Sequence, residues 1–428
     1  MLTRHKLFLS VGHDEYWSGQ QRSNVETARD SGLNLAFFSG NEVFWRIRWE
    51  EDFRTLVVYK ESQEKVKKDP EVAEWTGTWR DGRPINPLGA RPENSLTGTI
   101  FTVNAWRHDA LEVPHRYAGL RFWRHTGVAR LPGPGTKRLL KPGLLGHEWD
   151  EDLDNGHRPP GLVRLSETAV DNLWMIQDYG ANYDSGSATH HLVMYRSVAG
   201  SLVFGAGTVQ WSWGLDPHHD TVTGIPPDKA NPTNIRLGVD QMGPEPDIQQ
   251  ATLNMFCDMG VKVGVTSLSP GLTMPEPSTD TSPPEVRCSF LHDITIHPRF
   301  LIIMPPLPPS PSVQVTGVEM RCDPDCRDET CDCWLEVLAR DSEGVVAAVE
   351  FSIAQQPHSW HPAAPTARPA AWSLPLVRWR PQLPESLGYS FLADQEYGLA
   401  IRAVDDSYNI GPVHDVRIRT NGGRMILL

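Results

Sequence analysis

Polar side chains with catalytic potential follow the first predicted strand of the chain. Leu7–Val11 is a short apolar run that predicts a buried strand, and Gly12 ends it. The next residues include His13, Glu15 and Tyr16. Imidazole, carboxylate and phenol groups suit metal ligation or general acid–base catalysis. A polar loop that only leads into a helix is the alternative, but its position at a strand end favours function.

A second polar loop, Ser39–Trp45, follows the apolar run Leu33–Phe38. In this loop, Asn41 and Glu42 could orient a substrate or a water molecule. A tight turn with a capping asparagine would explain the same residues equally well. Neither loop contains a nucleophile in a G-x-S-x-G frame, so acyl transfer through a covalent triad is disfavoured.

The elements between these loops predict that they lie side by side. Ser18, followed three residues later by Gln21, predicts a capping box at the start of a helix that ends at Gly32. Strand, helix and strand form a βαβ unit, which implies a parallel sheet. In such sheets the loops at the carboxyl ends of the strands hold the ligand site.

The rest of the first 265 residues predicts a mixed pattern. Residues 69–161 form a loop-rich insertion. Strand-like runs follow at Leu192–Arg196, Leu202–Ala206 and Gln210–Leu215, and Asp247 is expected to cap a last helix. The predicted class is therefore an α/β domain, and its sheet is expected to be incomplete because only two strands precede the insertion.

A third polar segment, Gly146–Gly156, contains His147, Glu148 and a run of acids. Asp150, Asp152 and Asp154 alternate as in half of a calcium loop, but the glycine falls one place late and no glutamate closes the loop. A solvated acidic loop is the alternative.

Composition limits the classes of partner. The net charge of −13 argues against a nucleic-acid partner, which would require clustered Lys and Arg. No run of eighteen apolar residues predicts a membrane span, and no signal peptide is visible, so the sequence leaves the compartment open. Because the first strand begins within six residues of the start, we expect the chain to begin partway into a domain.

A proline-rich linker is predicted at residues 266–285, between the α/β domain at 1–265 and a second domain at 286–428. Beyond the linker, apolar residues alternate with a period of two, which predicts an all-β sandwich of Ig-like size. Four cysteines crowd into the loop Cys322–Cys333. We favour a disulfide-stapled loop there, with a small metal site as the alternative.

Several longer motifs resemble one known family. In order, they are SVGHDEYWS, NLAFFSGNEVFWR, EWTGTWRD, RPENSLTGTIF, GHEWDEDLDNG, LVFGAGTVQWSWGLD and QQATLNMFCDMGV. They resemble the C-terminal domain of the large (beta) subunit of N,N-dimethylformamidase and cover about the first 265 residues. The tail resembles the Ig-like modules that often follow this domain.

The resemblance implies a fold similar to class I glutamine amidotransferases without their cysteine nucleophile. It also implies hydrolysis of an amide with one iron ion, held by two tyrosines and a glutamate. By motif, Tyr16 and Glu148 are the matching ligands, while Phe44 stands where the motif places the second tyrosine. Phenolate and carboxylate oxygens suit a Lewis-acidic ferric ion that polarises the amide carbonyl.

Two functions follow from the sequence. The first is a metal-dependent hydrolase of C–N bonds in small amides, in which Tyr16 and Glu148 bind iron, and His13 or His147 transfers protons. Glu15, Asn41 and Glu42 complete this predicted site. The second is a binding module without catalysis that recognises a glycan or a protein through its many tryptophans.

Overall fold

The computed structural model describes residues 2–64, 66–105, 107, 109–216, 244–262, 264, 270–280, 317–322, 333–339, 341, 344–353, 360–365, 371–374, 396–421 and 424–427. The chain divides into two compact units. The first comprises Met1–Leu153 and His157–Ser278, and the second comprises Asp154–Gly156 and Thr279–Leu428. Much of the predicted linker, namely residues 266–269 and 281–285, lies outside the described residues.

The first unit contains three α-helices and fourteen strands among its described residues. The helices are α1 (Gly19–Arg29), α2 (Asn94–Thr97) and α3 (Pro246–Asp258). The strands are β1 (Leu7–Val11), β2 (Tyr16–Ser18), β3 (Asn34–Phe38), β4 (Trp45–Glu50), β5 (Thr55–Val57), β6 (Ile100–Asn104), β7 (Glu112–Pro114), β8 (Lys137–Leu139), β9 (Glu148–Glu151), β10 (Val163–Arg164), β11 (Thr168–Gln177), β12 (Asn182–His190), β13 (Val193–Arg196) and β14 (Leu202–Gly205).

A five-stranded mixed sheet in the order β1-β3-β14-β13-β10 contains the predicted βαβ unit. Strands β1 and β3 pair in parallel with α1 between them in sequence, and β14 pairs in parallel with β3. The capping box is confirmed, because Ser18 Oγ accepts from the amide of Gln21 while the Gln21 side chain accepts from the amide of Ser18. The helix ends at Arg29, earlier than predicted, and Gly32 (φ +94°) makes the turn into β3.

Side chains on the two faces of this sheet explain why it forms. On one face, Val25 and Ala28 of α1 pack with Leu35 and Phe37 of β3 in one buried apolar cluster. On the other face, Phe38 stacks on Phe256 of α3 at a centroid distance of 6.0 Å. Burial of each of the valine, leucine and phenylalanine side chains stabilises the fold by roughly 1.5–3 kcal/mol.

A second sheet closes into a small barrel of β11, β12, β9 and β6. Within it, β11 and β12 form a long antiparallel hairpin, and β6 pairs with β9 so that Asn104 lies opposite Glu148. This barrel positions Glu148 on a strand, whereas the sequence predicted a loop.

Two further predictions were wrong at the residue level. The run Gln210–Leu215 contains a 3-10 helix at Trp211–Gly214 instead of a strand. This turn buries the Trp211 ring beside Phe38, with the ring centroids 6.2 Å apart. Helix α3 is capped by Glu245, whose side chain accepts from the amide of Asp247. Asp247 itself lies in the first turn of that helix.

The described part of the second unit is built from strands. They are β15 (Gly317–Cys322), β16 (Cys333–Leu338), β17 (Val346–Ile353), β18 (His361–Pro362), β19 (Ala364–Pro365), β20 (Ala371–Leu374), β21 (Glu396–Asp405), β22 (His414–Asn421) and β23 (Arg424–Leu427). They form two antiparallel sheets, β15-β16-β20-β19 and β18-β17-β21-β22-β23. Buried residues of β16, β17, β21 and β22 share one apolar core, in agreement with the predicted period of two.

Taken together, the described residues are mostly β-sheet with few helices. The likeness to the amidotransferase fold and the Ig-like character of the second unit stay predictions. Cys326 and Cys331 lie outside the described residues, so the disulfide loop also stays a prediction. No helix in the described part of the chain is long and apolar enough to cross a membrane.

Candidate active site

The two predicted loops meet at the carboxyl ends of β1 and β3, and backbone hydrogen bonds join them. The amide of Val43 donates to the carbonyl of Asp14 (3.0 Å), and the amide of Phe44 donates to the carbonyl of Glu15 (2.9 Å). Asn41 and Val43 have left-handed backbone conformations (φ +49° and +56°). Such conformations cost of order 1–3 kcal/mol each, and they cluster at functional sites.

A histidine, a carboxylate and an amide converge here. His13 Nε2 lies 2.7 Å from Glu148 Oε2. The Asn41 amide nitrogen lies 2.9 Å from His13 Nε2 and donates to Glu148 Oε2 at 3.0 Å. Glu15 Oε2 lies 3.9 Å from His13 Nε2. The structure therefore brings together four of the predicted residues, which come from all three polar segments.

The charges of these groups are strongly coupled. Burial lowers the pKa of His13, but the carboxylates of Glu148, Glu15 and Asp150 outweigh burial and raise it overall. Burial alone would raise the pKa of Glu148, yet hydrogen bonds from His13 and Asn41 lower it. The pKa of Glu15 is raised, first by burial and then by the charge of Glu148. The contact between His13 and Glu148 therefore favours the charged form of each group.

Asp150 holds the second loop in place through a hydrogen bond to its backbone. Its Oδ1 accepts from the amide of Asn41 (2.9 Å) and its Oδ2 accepts from Thr99 Oγ1 (2.8 Å). Burial raises the pKa of Asp150 to about 6. Gly40 packs closely against the same carboxyl, because a Cβ atom added at Gly40 would lie only 3.0 Å from Asp150 Oδ1. Asp150 therefore fixes the backbone position from which the Asn41 side chain reaches His13 and Glu148.

Glu42 and His147 occupy different surroundings from this pair. Glu42 is 3% exposed, and its pKa is raised well above the usual value by burial and by the charges of Asp14 and Asp150. Burial therefore disfavours the charged form of this carboxyl, which lies within the second loop. His147 is close enough to Glu148 for its charge to lower the pKa of that carboxyl. Its backbone carbonyl accepts from the amide of Ala105 at 2.7 Å.

Two residues near the pair were missed by sequence reasoning. Lys60 Nζ lies 4.8 Å from the ring centroid of Trp45, and its charge lowers the pKa of Glu15. Tyr183, on β12, has a pKa raised by burial and by the charges of Glu148 and Glu15. Neither residue lies in a polar motif, and only the pairing of distant strands brings them to the site.

The ligand set implied by the resemblance is incomplete in this chain. Phe44 is buried in an aromatic cluster, with its ring centroid 5.2 Å from that of Phe101 and 5.0 Å from that of Trp45. Tyr16 packs on the same cluster. Position 44 therefore supplies no oxygen, and Glu148 already accepts from Asn41 beside His13. These residues do not fit the two-tyrosine iron site.

The calcium-like interpretation of the acidic segment is wrong, because its acids turn to separate partners. Asp150 holds the second loop, whereas Asp152 accepts from Arg158 Nε and Arg164 Nε, each at 2.7 Å. Among the described residues, one group of three side chains of the metal-binding types (Asp, Glu, His or Cys) has its ligand atoms within 4.8 Å of one another. This group lies outside the acidic segment. It consists of Asp280, Asp341 and Asp405 of the second unit.

Comparison with models of known protein families gives a match. A family model described as N,N-dimethylformamidase beta subunit-like, C-terminal, matches residues 1–223, which contain every residue of the site described above. The search of curated proteins gives no match. The resemblance predicted from the motifs is confirmed over this range.

Proposed function

The chain belongs to the N,N-dimethylformamidase beta subunit-like, C-terminal family, and from this premise we propose that its first unit hydrolyses the C–N bond of amides. The observation that carries the proposal is the contact of His13, Glu148 and Asn41 at the carboxyl ends of two parallel strands. Ligand sites of open α/β sheets lie at this edge.

Acid and base roles follow from the coupled charges. Glu15 has a raised pKa, so its carboxylate is a better base than an ordinary glutamate and can take a proton from an attacking water. His13 has a raised pKa, so it keeps its proton to a higher pH than an ordinary histidine and can give that proton to the leaving amine. The new C–O bond forms as water attacks, and the C–N bond breaks as nitrogen receives this proton.

The site then returns to its starting state. Glu15 holds the proton from water, and His13 has lost its own; the two groups are 3.9 Å apart, so the proton can pass from Glu15 to His13. Glu148 and Asn41 act as positioning residues, because Glu148 accepts from His13 and Asn41 donates to Glu148. Lys60 is a suitable cation for the negative charge that develops on the amide oxygen.

Because position 44 lacks an oxygen donor, we assign no step to a metal ion. Metal analysis of the purified protein tests this assignment, and we expect iron well below one ion per chain.

The test is release of ammonia from formamide and acetamide, and of dimethylamine from N,N-dimethylformamide, by the full chain. We expect turnover that falls by about 10²-fold or more in His13→Gln, because general acid catalysis contributes at least this much. Glu112→Gln is the matched control, since Glu112 pairs with Lys137 on the surface. Hydrolysis should rise with pH through the raised pKa of Glu15 and fall through that of His13. Turnover that survives unchanged in His13→Gln would overturn these roles.

A further inference from the structure

Two aromatic side chains on the β11–β12 hairpin are exposed together. Trp174 is 53% exposed and Tyr183 is 41% exposed. Their rings are parallel, with an interplanar angle of 1° and centroids 6.3 Å apart. Among the tryptophans whose burial the structure describes, Trp174 alone is classed as exposed. Large parallel aromatic faces left in water are a common feature of ligand-binding surfaces.

The register of the hairpin places this pair on the face that meets the candidate site. Tyr183 lies directly opposite Ile176, so the two side chains point to the same face, and Trp174 shares that face because it is two residues from Ile176. Ile176 packs on the cluster that contains Phe44 and Trp45 of the second loop. The exposed rings therefore continue from the aromatic cluster beside the catalytic loops.

Contacts of Tyr183 bring the pair close to the acidic residues. The Asn104 side chain forms a hydrogen bond with Tyr183. On the neighbouring barrel strand, Glu148 lies directly opposite Asn104. Glu15 and Lys60 are also close enough to influence the phenol electrostatically. One end of the aromatic surface thus borders the groups to which we assigned proton transfer.

We propose that Trp174 and Tyr183 form a substrate subsite for a flat aryl group, so that the site takes aryl amides in preference to small aliphatic ones. This inference rests on the proposed amidohydrolase function. An aryl ring can stack on a parallel aromatic face, whereas formamide offers nothing to cover it. The amide next to that ring would then lie toward Glu15 and Glu148.

A purely structural role for the pair predicts a different result. Aromatic neighbours on adjacent strands stabilise a hairpin by roughly 0.2–1 kcal/mol without any ligand. In that case replacing Trp174 would change the unfolding midpoint and would lower activity on all amides equally. A subsite role instead predicts a change in KM that is confined to aryl substrates.

The first experiment compares formanilide with formamide as substrates of the wild-type chain, Trp174→Ala and Trp174→Leu. Leucine keeps an apolar cross-strand contact but removes the flat ring. Phe53→Ala is the matched control, because Phe53 is 68% exposed on the β4–β5 hairpin. We expect wild type to favour formanilide in kcat/KM, and both Trp174 variants to raise its KM by about three- to tenfold. Formamide turnover and the Phe53 variant should change less than twofold.

Binding of benzamide, followed by saturation-transfer NMR, tests the subsite even without turnover. Binding that weakens three- to tenfold in both Trp174 variants supports the inference, and equal binding to all variants overturns it. Hydrolysis of formamide without any preference for formanilide would overturn the inference and leave the proposed function standing. Benzamide binding that depends on Trp174, with no amide hydrolysed, would show an aryl-binding surface but would overturn both the proposed function and the use of this surface as a substrate subsite.

Discussion

Asp150 and His190 are buried close to the candidate site. As the pH rises, we expect Asp150 to lower the free energy of unfolding and His190 to raise it. Asp150 is 3% exposed, and burial raises its pKa from 3.8 to about 6. His190 is fully buried, and its Nε2 donates to the carbonyl of Ala206 (2.9 Å); burial lowers its pKa from 6.5 to about 4. Asp150→Asn and His190→Gln remove one titrating group each and keep similar shapes.

The sign for Asp150 follows from proton counts. Between pH 4 and 6 the folded chain keeps a proton on this carboxyl, whereas the unfolded chain has released it. Raising the pH therefore favours unfolding across this window. At about 1.4 kcal/mol per pH unit, the loss is about 3 kcal/mol by pH 6.5. Relative to wild type, Asp150→Asn should gain about 3 kcal/mol between pH 4 and 6.5.

His190 has the opposite sign. Between pH 4 and 6.5 the unfolded chain binds a proton on this imidazole and the folded chain does not. Stability from His190 is complete above pH 6.5 and is lost as the pH falls toward 4, by about 3 kcal/mol. Relative to wild type, His190→Gln should therefore lose about 3 kcal/mol as the pH rises across the same window.

The assay is urea denaturation followed by tryptophan fluorescence, at pH steps from 4 to 7.5, for the wild type and both variants. Differences between variant and wild type cancel the other titrating groups, so the two difference curves should diverge with opposite slopes. A constant difference across the window for Asp150→Asn would refute a buried carboxyl with a raised pKa. Parallel curves for the two variants would refute the assigned signs.

Three further predictions concern single contacts. Asp152→Asn leaves the buried Arg158 without its charge partner, so thermal unfolding at pH 7 should show a loss of about 3–5 kcal/mol; a loss below 1 kcal/mol would contradict the pairing. Phe44→Tyr should destabilise the chain by about 1–3 kcal/mol, because its hydroxyl enters an apolar cluster, and metal analysis should still find iron well below one ion per chain. Glu148→Gln should lower the pKa of His13, measured by NMR titration of its ring, and an unchanged value would contradict the coupling.

Local sequence determined the first βαβ unit and the loops that it presents. The capping box joins residues three apart, and the apolar runs predicted β1 and β3. Burial was predicted correctly only for β3. In β1 only Ser10 is buried, while Leu9 (41%) and Val11 (57%) are exposed, because β1 is the edge strand of its sheet. Because parallel strands end at one edge, the meeting of His13 and Asn41 followed from strand order alone. Glu148 joined them through a recognisable polar motif, although its strand and its register were not predictable.

The electrostatic state of the site was decided only by tertiary structure. Asp150 and Asp152 are two residues apart in one acidic run, yet the pKa of the first is raised and that of the second is lowered. Both are buried, but Asp152 meets two arginines while Asp150 meets a hydroxyl and a backbone amide. Sequence spacing cannot show which partners a fold brings to a buried carboxyl.

The same limit explains the residues that sequence reasoning missed. Lys60 and Tyr183 carry no motif, and they reach the site because the β11–β12 hairpin and the segment after β5 fold back onto the second loop. Trp174 is one of fifteen tryptophans, and only its exposure separates it from those that pack in the core. Local patterns determine elements and their ends, whereas burial and long-range pairing determine charge, exposure and the complete set of residues around the site.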